Sequence, residues 1–176
     1  RNNDELVATY GNLVHRVLTM SYRNFDGKAP DPGDLDAQSK ELLAEAARRF
    51  DETGRSIEAC RFRAALGASM ALARAANTYL DRKAPWQAVK NNRPAAATTL
   101  WTALTVINCL KTALCPFLPF SSERLHRMLG FEGTVRRAGW KWTPDMLKPA
   151  QELATPEPLF AKLDEAIVEK ETERIG

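Results

Sequence analysis

The sequence predicts an all-α fold, an antiparallel bundle of about five main helices with an irregular C-terminal extension and a last short helix. Three observations predict it. Apolar residues recur at helical spacing over most of the chain, and no convincing period-two run competes with them. Most of the 9 Gly and 10 Pro among 176 residues fall between those periodic segments. A composition of 44% hydrophobic and 27% charged residues supplies one ordinary core. The expected division is a bundle over 1–130 and an extension over 131–176 that packs back on it.

The first helix is expected over 4–24. Leu6, Val7, Tyr10, Leu13, Val14, Val17 and Leu18 form a single apolar stripe on it. The stretch 25–33 holds Gly27, Pro30, Pro32 and Gly33 and reads as a loop. Asp34 or Asp36 can cap a second helix carrying Leu42, Leu43, Ala46, Ala47 and Phe50, with Gly54 as its stop. A third helix, over 57–83, is apolar on nearly every side. Phe62, Leu66, Ala73 and Leu80 form one face, and Ile57, Ala68, Leu72 and Tyr79 another. That pattern predicts a central, multiply buried rod of roughly 40 Å. Pro85 ends it, because the residue before a proline avoids right-handed helical geometry. A short basic segment follows over 86–93, then a fourth helix over 94–114, broken by Pro116 and Pro119. Ser121 can cap a fifth helix, for which Gly130 is the natural terminator. Residues 131–160 read as irregular, with 134–142 able to form a short extended piece, and 164–174 as a last helix.

Several function classes are excluded. No apolar run is long enough to span a membrane, and no apolar leader opens the chain. The three cysteines, Cys60, Cys109 and Cys115, form no C-x-x-C pair and read as reduced, buried thiols of a cytoplasmic protein. The two histidines, His15 and His126, are too few and too far apart for a zinc site. Glycine-rich phosphate loops and a G-x-S-x-G nucleophile turn are absent from the sequence, so no catalytic or metal residue is expected here. A start at Arg1 rather than Met reads as a piece of something longer.

Charge is informative in its distribution. Net charge is only +3, but residues 59–159 hold fourteen basic and six acidic residues, whereas residues 34–58 hold four and seven. A basic middle admits a polyanionic partner, as it admits an ordinary solvated surface. On helix one, Asn12 and Arg16 lie one turn apart and about 130° from the centre of the apolar stripe. Thr19 and Arg23 continue that outward stripe. An amide and a guanidinium can both read the edges of unpaired bases, although such a pair also suits a plain solvated face. Trp86 sits just beyond the third helix, with Lys83, Lys90 and Arg93 nearby. An indole in a turn can stack on an unpaired base, or it can plug the bundle end. Trp101, Trp140 and Trp142 are assigned to packing, Asn77 to a satisfied buried amide, and Lys111 to snorkelling from the edge of the fourth helix. Cys109 is given no role.

At these residues a resemblance enters. The run Tyr10-Gly11-Asn12-Leu13-Val14-His15-Arg16-Val17-Leu18 resembles the first bundle helix of the anticodon-binding domain of the methionyl-tRNA synthetase family. The run from Ala75 through Ala84-Pro85-Trp86, followed by Lys90, resembles that family's helix-then-A-P-W segment. The resemblance covers nearly the whole chain and implies the anticodon-binding bundle of a class I aminoacyl-tRNA synthetase. It implies recognition of the CAU anticodon, with Trp86 stacking on the first base and Asn12 and Arg16 at base edges. Arg23, Lys83, Lys90 and Arg93 are possible additional RNA contacts. His15 stands where many members carry Asn. The family's H-I-G-H and K-M-S-K-S motifs are missing from this chain, so the fragment alone is expected to form no aminoacyl product and to need no cofactor. By resemblance the full-length parent is a methionine–tRNA ligase that uses ATP and Mg. Its expected partners are elongator and initiator methionine tRNAs and the catalytic domain of the same polypeptide, in a monomeric cytoplasmic protein without membrane contact. Competing readings are the equivalent domain of another class I synthetase and a helical protein-interaction module.

The RNA readings and the interaction-module reading separate on salt. Phosphate contacts impose a steep fall in RNA affinity as salt rises. A filter-binding salt series with an anticodon stem-loop is expected to show that slope, whereas the interaction module requires no salt-dependent RNA binding at all.

Overall fold

The computed structural model describes residues 2–161, with side chains from Leu6 onward. The expected last helix over 164–174 lies outside the described residues. Helix one is continuous but not uniform: wide π-type turns over Asn2–Gly11 tighten into α1, Asn12–Asn24. The stripe is buried as expected at Tyr10, Leu13, Val14, Val17 and Leu18. Of the two capping candidates, Asp36 caps α2, Ala37–Glu58, accepting the Ser39 amide at 2.9 Å.

Gly54 does not stop α2, which runs one further turn past it. The glycine serves a close approach instead. A Cβ there would lie 3.1 Å from the indole nitrogen of Trp140, which arrives from the extension and stacks on Phe50 with ring centroids 4.8 Å apart. The true stop is the tight turn at Cys60, whose positive φ breaks the helix; α3 then spans Phe62–Lys83. The N-terminal end of α3 departs from expectation. Ala73 and Leu80 are fully buried, but Phe62 and Leu66 are exposed, and Cys60 is an exposed thiol rather than a buried one.

The centre of the bundle is not α3. It is α5, Arg93–Leu114, in which every residue from Ala96 to Leu114 is buried. The sequence hides this because α5 is rich in threonine, which counts as polar. Thr99 and Thr102 donate backwards to carbonyls four residues earlier, both at 2.8 Å, and the Thr98 hydroxyl reaches the Pro32 carbonyl at 2.5 Å with that of Pro94 at 3.2 Å. A threonine satisfied in this way presents its methyl group to its neighbours. Helices α1, α2, α3 and α6 and the short α4, Pro85–Asn91, all pack on this rod.

Pro119 opens α6, Pro119–Met128, so Ser121 lies within the helix and caps nothing. Gly130 terminates it as expected. Its φ is +76°, and the Gly130 and Phe131 amides close on the Arg127 and His126 carbonyls at 2.9 and 3.1 Å. A Cβ at Gly130 would fall 1.9 Å from the Glu152 carbonyl oxygen, so no other residue fits. The stretch 134–142 is not extended. Thr134 caps a single helical turn, α7, Val135–Ala138. Beyond it the chain returns across the bundle. Trp142 is buried and donates to the Thr105 carbonyl at 3.1 Å, and Leu147, Leu153 and Leu159 are buried. Backbone bonds from Ala29 to Gln151 and from Ala150 to Ala29, both 2.8 Å, tie the extension to the loop after α1. No described helix is long and apolar enough to cross a membrane.

Lys111 does not snorkel; it is 2% exposed. Its ammonium donates to Asn108 Oδ1 at 2.7 Å and to His126 Nδ1 at 3.1 Å, and lies 4.3 Å from the centroid of Phe131. Because an ammonium only donates, His126 is neutral with its proton on Nε2, which donates to the Glu132 carbonyl at 3.0 Å. Burial pushes Lys111 down to about 8, with nearby Glu123 opposing. His126 is held below its ordinary value of 6.5, first by burial and then by the Lys111 charge, against the Glu132 hydrogen bond. The folded state therefore binds fewer protons at His126 than the unfolded state does once pH drops below about 6.5. Stability from this group is complete above that pH and is lost as pH falls toward the depressed folded value. Urea unfolding between about pH 7 and pH 5 is expected to show this acid-side loss, and His126→Gln is expected to flatten it. An unchanged slope in the variant would contradict the assignment.

Candidate nucleic-acid interface

The site begins with a backbone constraint. Right-handed helical geometry is disfavoured for Ala84 before Pro85, and it adopts the left-handed conformation, φ 43° and ψ 57°, while closing α3 through a 2.8 Å bond from its amide to the Leu80 carbonyl. For an alanine that costs roughly 1–2 kcal/mol. Pro85 then starts α4, where its missing N–H is no loss. The reversal sets Trp86 at the outer corner between α3 and α4, where the residue is 39% exposed. The indole therefore does not plug the bundle.

From α1, Arg16 meets it. The guanidinium carbon of Arg16 lies 5.3 Å from the centre of the Trp86 ring. The same guanidinium forms an ion pair with Asp81 of α3, at 3.7 Å, with both partners partly exposed. Asn12 is exposed one helical turn before Arg16. These three predicted residues are thus brought to one face of the molecule, with Arg16 and Trp86 in direct contact. Asp81 was not singled out in the sequence; its only signal is a carboxylate two residues before the end of the helix that leads into the A-P-W run.

The predicted accessory cations divide. Lys83 is engaged: its ammonium reaches Asp36 Oδ2 at 2.5 Å and lies 5.9 Å from the Tyr79 ring. Asp36 is slightly shielded from water, which disfavours its charge, but the Lys83 hydrogen bond and the two Ser39 donors outweigh that and lower its pKa. Arg93 is engaged as well, hydrogen-bonded to the Asn24 carbonyl at the end of α1 and 4.7 Å from the Phe25 ring. Lys90, in the last turn of α4, and Arg23, in the last turn of α1, are exposed. Arg23 borders a cleft of about 240 Å³ that also involves His15, Thr19, Tyr22, Thr155 and Pro156. Among the described residues no group of three or more His, Cys, Asp or Glu side chains is arranged to hold a metal ion.

A helical bundle carrying an amide, a guanidinium and an indole at one open corner has the form of an all-α anticodon-binding domain. A model of the "Anticodon binding domain of methionyl tRNA ligase" matches residues 29–176, and the chain belongs to that family. It is 48% identical over 176 residues to the methionine–tRNA ligase of Dehalococcoides mccartyi (strain ATCC BAA-2266 / KCTC 15142 / 195), covering 100% of this chain and 32% of the relative. Against the methionine–tRNA ligase of Roseiflexus sp. (strain RS-1) identity is 42% over 200 residues, covering 99% of this chain and 33% of the relative. The structure of Mycobacterium tuberculosis methionyl-tRNA synthetase in complex with methionyl-adenylate superposes with a TM-score of 0.84 at 26% identity, over 92% of this chain and 32% of that one. The chain thus spans about a third of the length of the relatives it matches. These relatives favour the methionyl member over other class I synthetases.

Asp36 links cap, ion pair and site edge in one side chain. Asp36→Ala is expected to lower stability by about 1–2 kcal/mol, chiefly through the lost cap. Urea denaturation checks this; a midpoint equal to the parent's would contradict it.

Proposed function

We propose that this domain reads the CAU anticodon of methionine tRNAs, elongator and initiator alike, on behalf of a polypeptide that joins methionine to tRNA with ATP and Mg. The observation that carries the reading is the contact of Arg16 with an exposed Trp86 beside Asn12. A half-exposed indole on a rigid corner offers a flat face to an unstacked base, and such stacking needs no particular base. Selection then falls to the groups at the rim. The Asn12 amide carries a donor pair and an acceptor, and the Arg16 fork carries donors only, so together they complement the mixed edge of a cytosine or adenine. Because the Arg16 guanidinium already lies against the indole, part of the ordering cost of binding is met before RNA arrives.

Lys90 and Arg23 are available to the phosphates that flank the loop. Lys83 and Arg93 are already neutralised or occupied by Asp36, Asn24 and Phe25, and their first role in this reading is to hold the corner. The catalytic domain of the same polypeptide supplies the aminoacylation chemistry, and the parent is a cytoplasmic monomer in this reading.

Trp86→Ala is expected to weaken binding of a CAU stem-loop by about 1–3 kcal/mol in a fluorescence titration, and equal affinity for variant and parent would overturn the reading. Arg16→Ala is expected to shrink the preference for CAU over other anticodon loops. A loss that is uniform across loops would make Arg16 a phosphate contact rather than a base reader.

A further inference from the structure

We propose that the cavity beside Trp140 is a separate nucleic-acid site, taking one unpaired nucleotide of a single RNA strand, with the base on the indole and its phosphates on the cations around α7. The inference does not rest on the anticodon reading. The packing role expected of Trp140 accounts for one face of its ring. Phe50 is stacked on that face, with centroids 4.8 Å apart and planes 19° from parallel, and Gly54, one turn on along α2, leaves the indole room to lie flat. Trp140 is nonetheless 41% exposed, slightly more than Trp86. With one face against α2, the surface it offers is the other face. The residue borders a cavity of about 420 Å³ that is also lined by Pro116, Pro119, Val135 and Arg136. An indole, two proline rings and one guanidinium suit a planar heterocycle that carries an anion.

Charge separates a nucleotide from a plain apolar partner. Residues 136–141 read Arg-Arg-Ala-Gly-Trp-Lys. Arg136, Arg137 and Lys141 are all exposed, and none of them forms an ion pair among the described residues. Lys83 and Arg93, by contrast, are already held by other groups. The turn that carries the free cations is fixed in place: the Arg137 amide donates to Thr134 Oγ1 at 3.2 Å, and the Val135 amide donates to Glu123 Oε1 at 3.0 Å. An exposed indole flanked by uncommitted cations binds single strands, the ring stacking on a base and the cations holding phosphates. A purely apolar partner would leave those charges unused. A further cleft bordering Trp140 carries Asp51 and Glu58 beside Arg55, and its carboxylates repel phosphate, so the strand lies on the Arg136 side. The anticodon corner is distant. Thr112 in the cavity wall and Arg93 at the corner lie toward opposite ends of α5, roughly 28 Å apart along the helix.

The test uses the complete ligase polypeptide that carries this chain, with Trp86→Ala to silence the corner, and a short fluorescein-labelled oligoadenylate strand in an anisotropy titration. In that background Trp140→Ala is expected to weaken binding about fivefold or more, and Trp140→Phe, which keeps a flat ring, to weaken it less. Arg136→Gln together with Arg137→Gln is expected to lower the slope of log affinity on log salt by about 1.4, the value for two phosphates on a single strand. Thermal unfolding identifies any variant that is simply misfolded. Both arginines are exposed, so their variant and Trp140→Phe keep the proposal open to refutation if Trp140→Ala unfolds. No binding of the strand at low salt overturns the proposal, as would follow if another part of the polypeptide covered the cavity. Parental affinity and slope in the folded variants also overturn it. So does a slope that falls while folded Trp140→Ala keeps full affinity, since that describes a charged surface without a base site. If Trp86→Ala binds a CAU stem-loop as the parent does, the anticodon reading fails, and this site is still decided by the oligoadenylate result.

Discussion

A helix buried from every side organises this domain. From Ala96 to Leu114 no residue of α5 reaches solvent appreciably, so each polar group on it needs a partner inside. Thr99 and Thr102 meet that requirement within their own helix, Thr98 meets it chiefly through the Pro32 carbonyl, and Lys111 meets it through Asn108, His126 and the Phe131 ring. The remaining elements are arranged to cover the rod. α1 packs along it on one side, and α4 sits at its N-terminal end. The contact between Arg16 and Trp86 is a consequence, since the two residues sit on different elements that share this one support.

What could be read in the sequence follows from how local the determining physics is. The α1 stripe is a matter of spacing, and the outward position of Asn12 and Arg16 follows from it. The sharp turn at Ala84 follows from the proline beside it. Gly130 as a helix terminator is a local signal too. The centre of the bundle was not legible, because the threonines of α5 count as polar although hydroxyls such as those of Thr99 and Thr102 are satisfied within the helix. Gly54 looked like a stop because the reason for it, the ring of Trp140, lies far along the chain.

The candidate site shows the same division. Exposure of Asn12 and Arg16 was legible; the contact of Arg16 with a residue seventy positions later was not, and only the family resemblance linked them. Lys83 and Arg93 looked like free cations because Asp36, Asn24 and Phe25, which occupy them, are distant in the chain. Lys111 looked like a surface lysine for the same reason. A charge pattern reports where charges are but not what they have already been given to do. In this domain Lys83 and Arg93 are held by groups at the corner, and Lys90 and Arg23 are exposed.

The account makes Arg16 and Trp86 a single platform rather than two independent contacts. A double-mutant cycle on affinity for a CAU stem-loop tests this most directly, comparing Arg16→Ala, Trp86→Ala and the double variant. The two losses are expected to be non-additive, the double variant losing less than their sum by about 0.5 kcal/mol or more. Losses that simply add would mean that the two side chains touch without acting together, and would contradict the account.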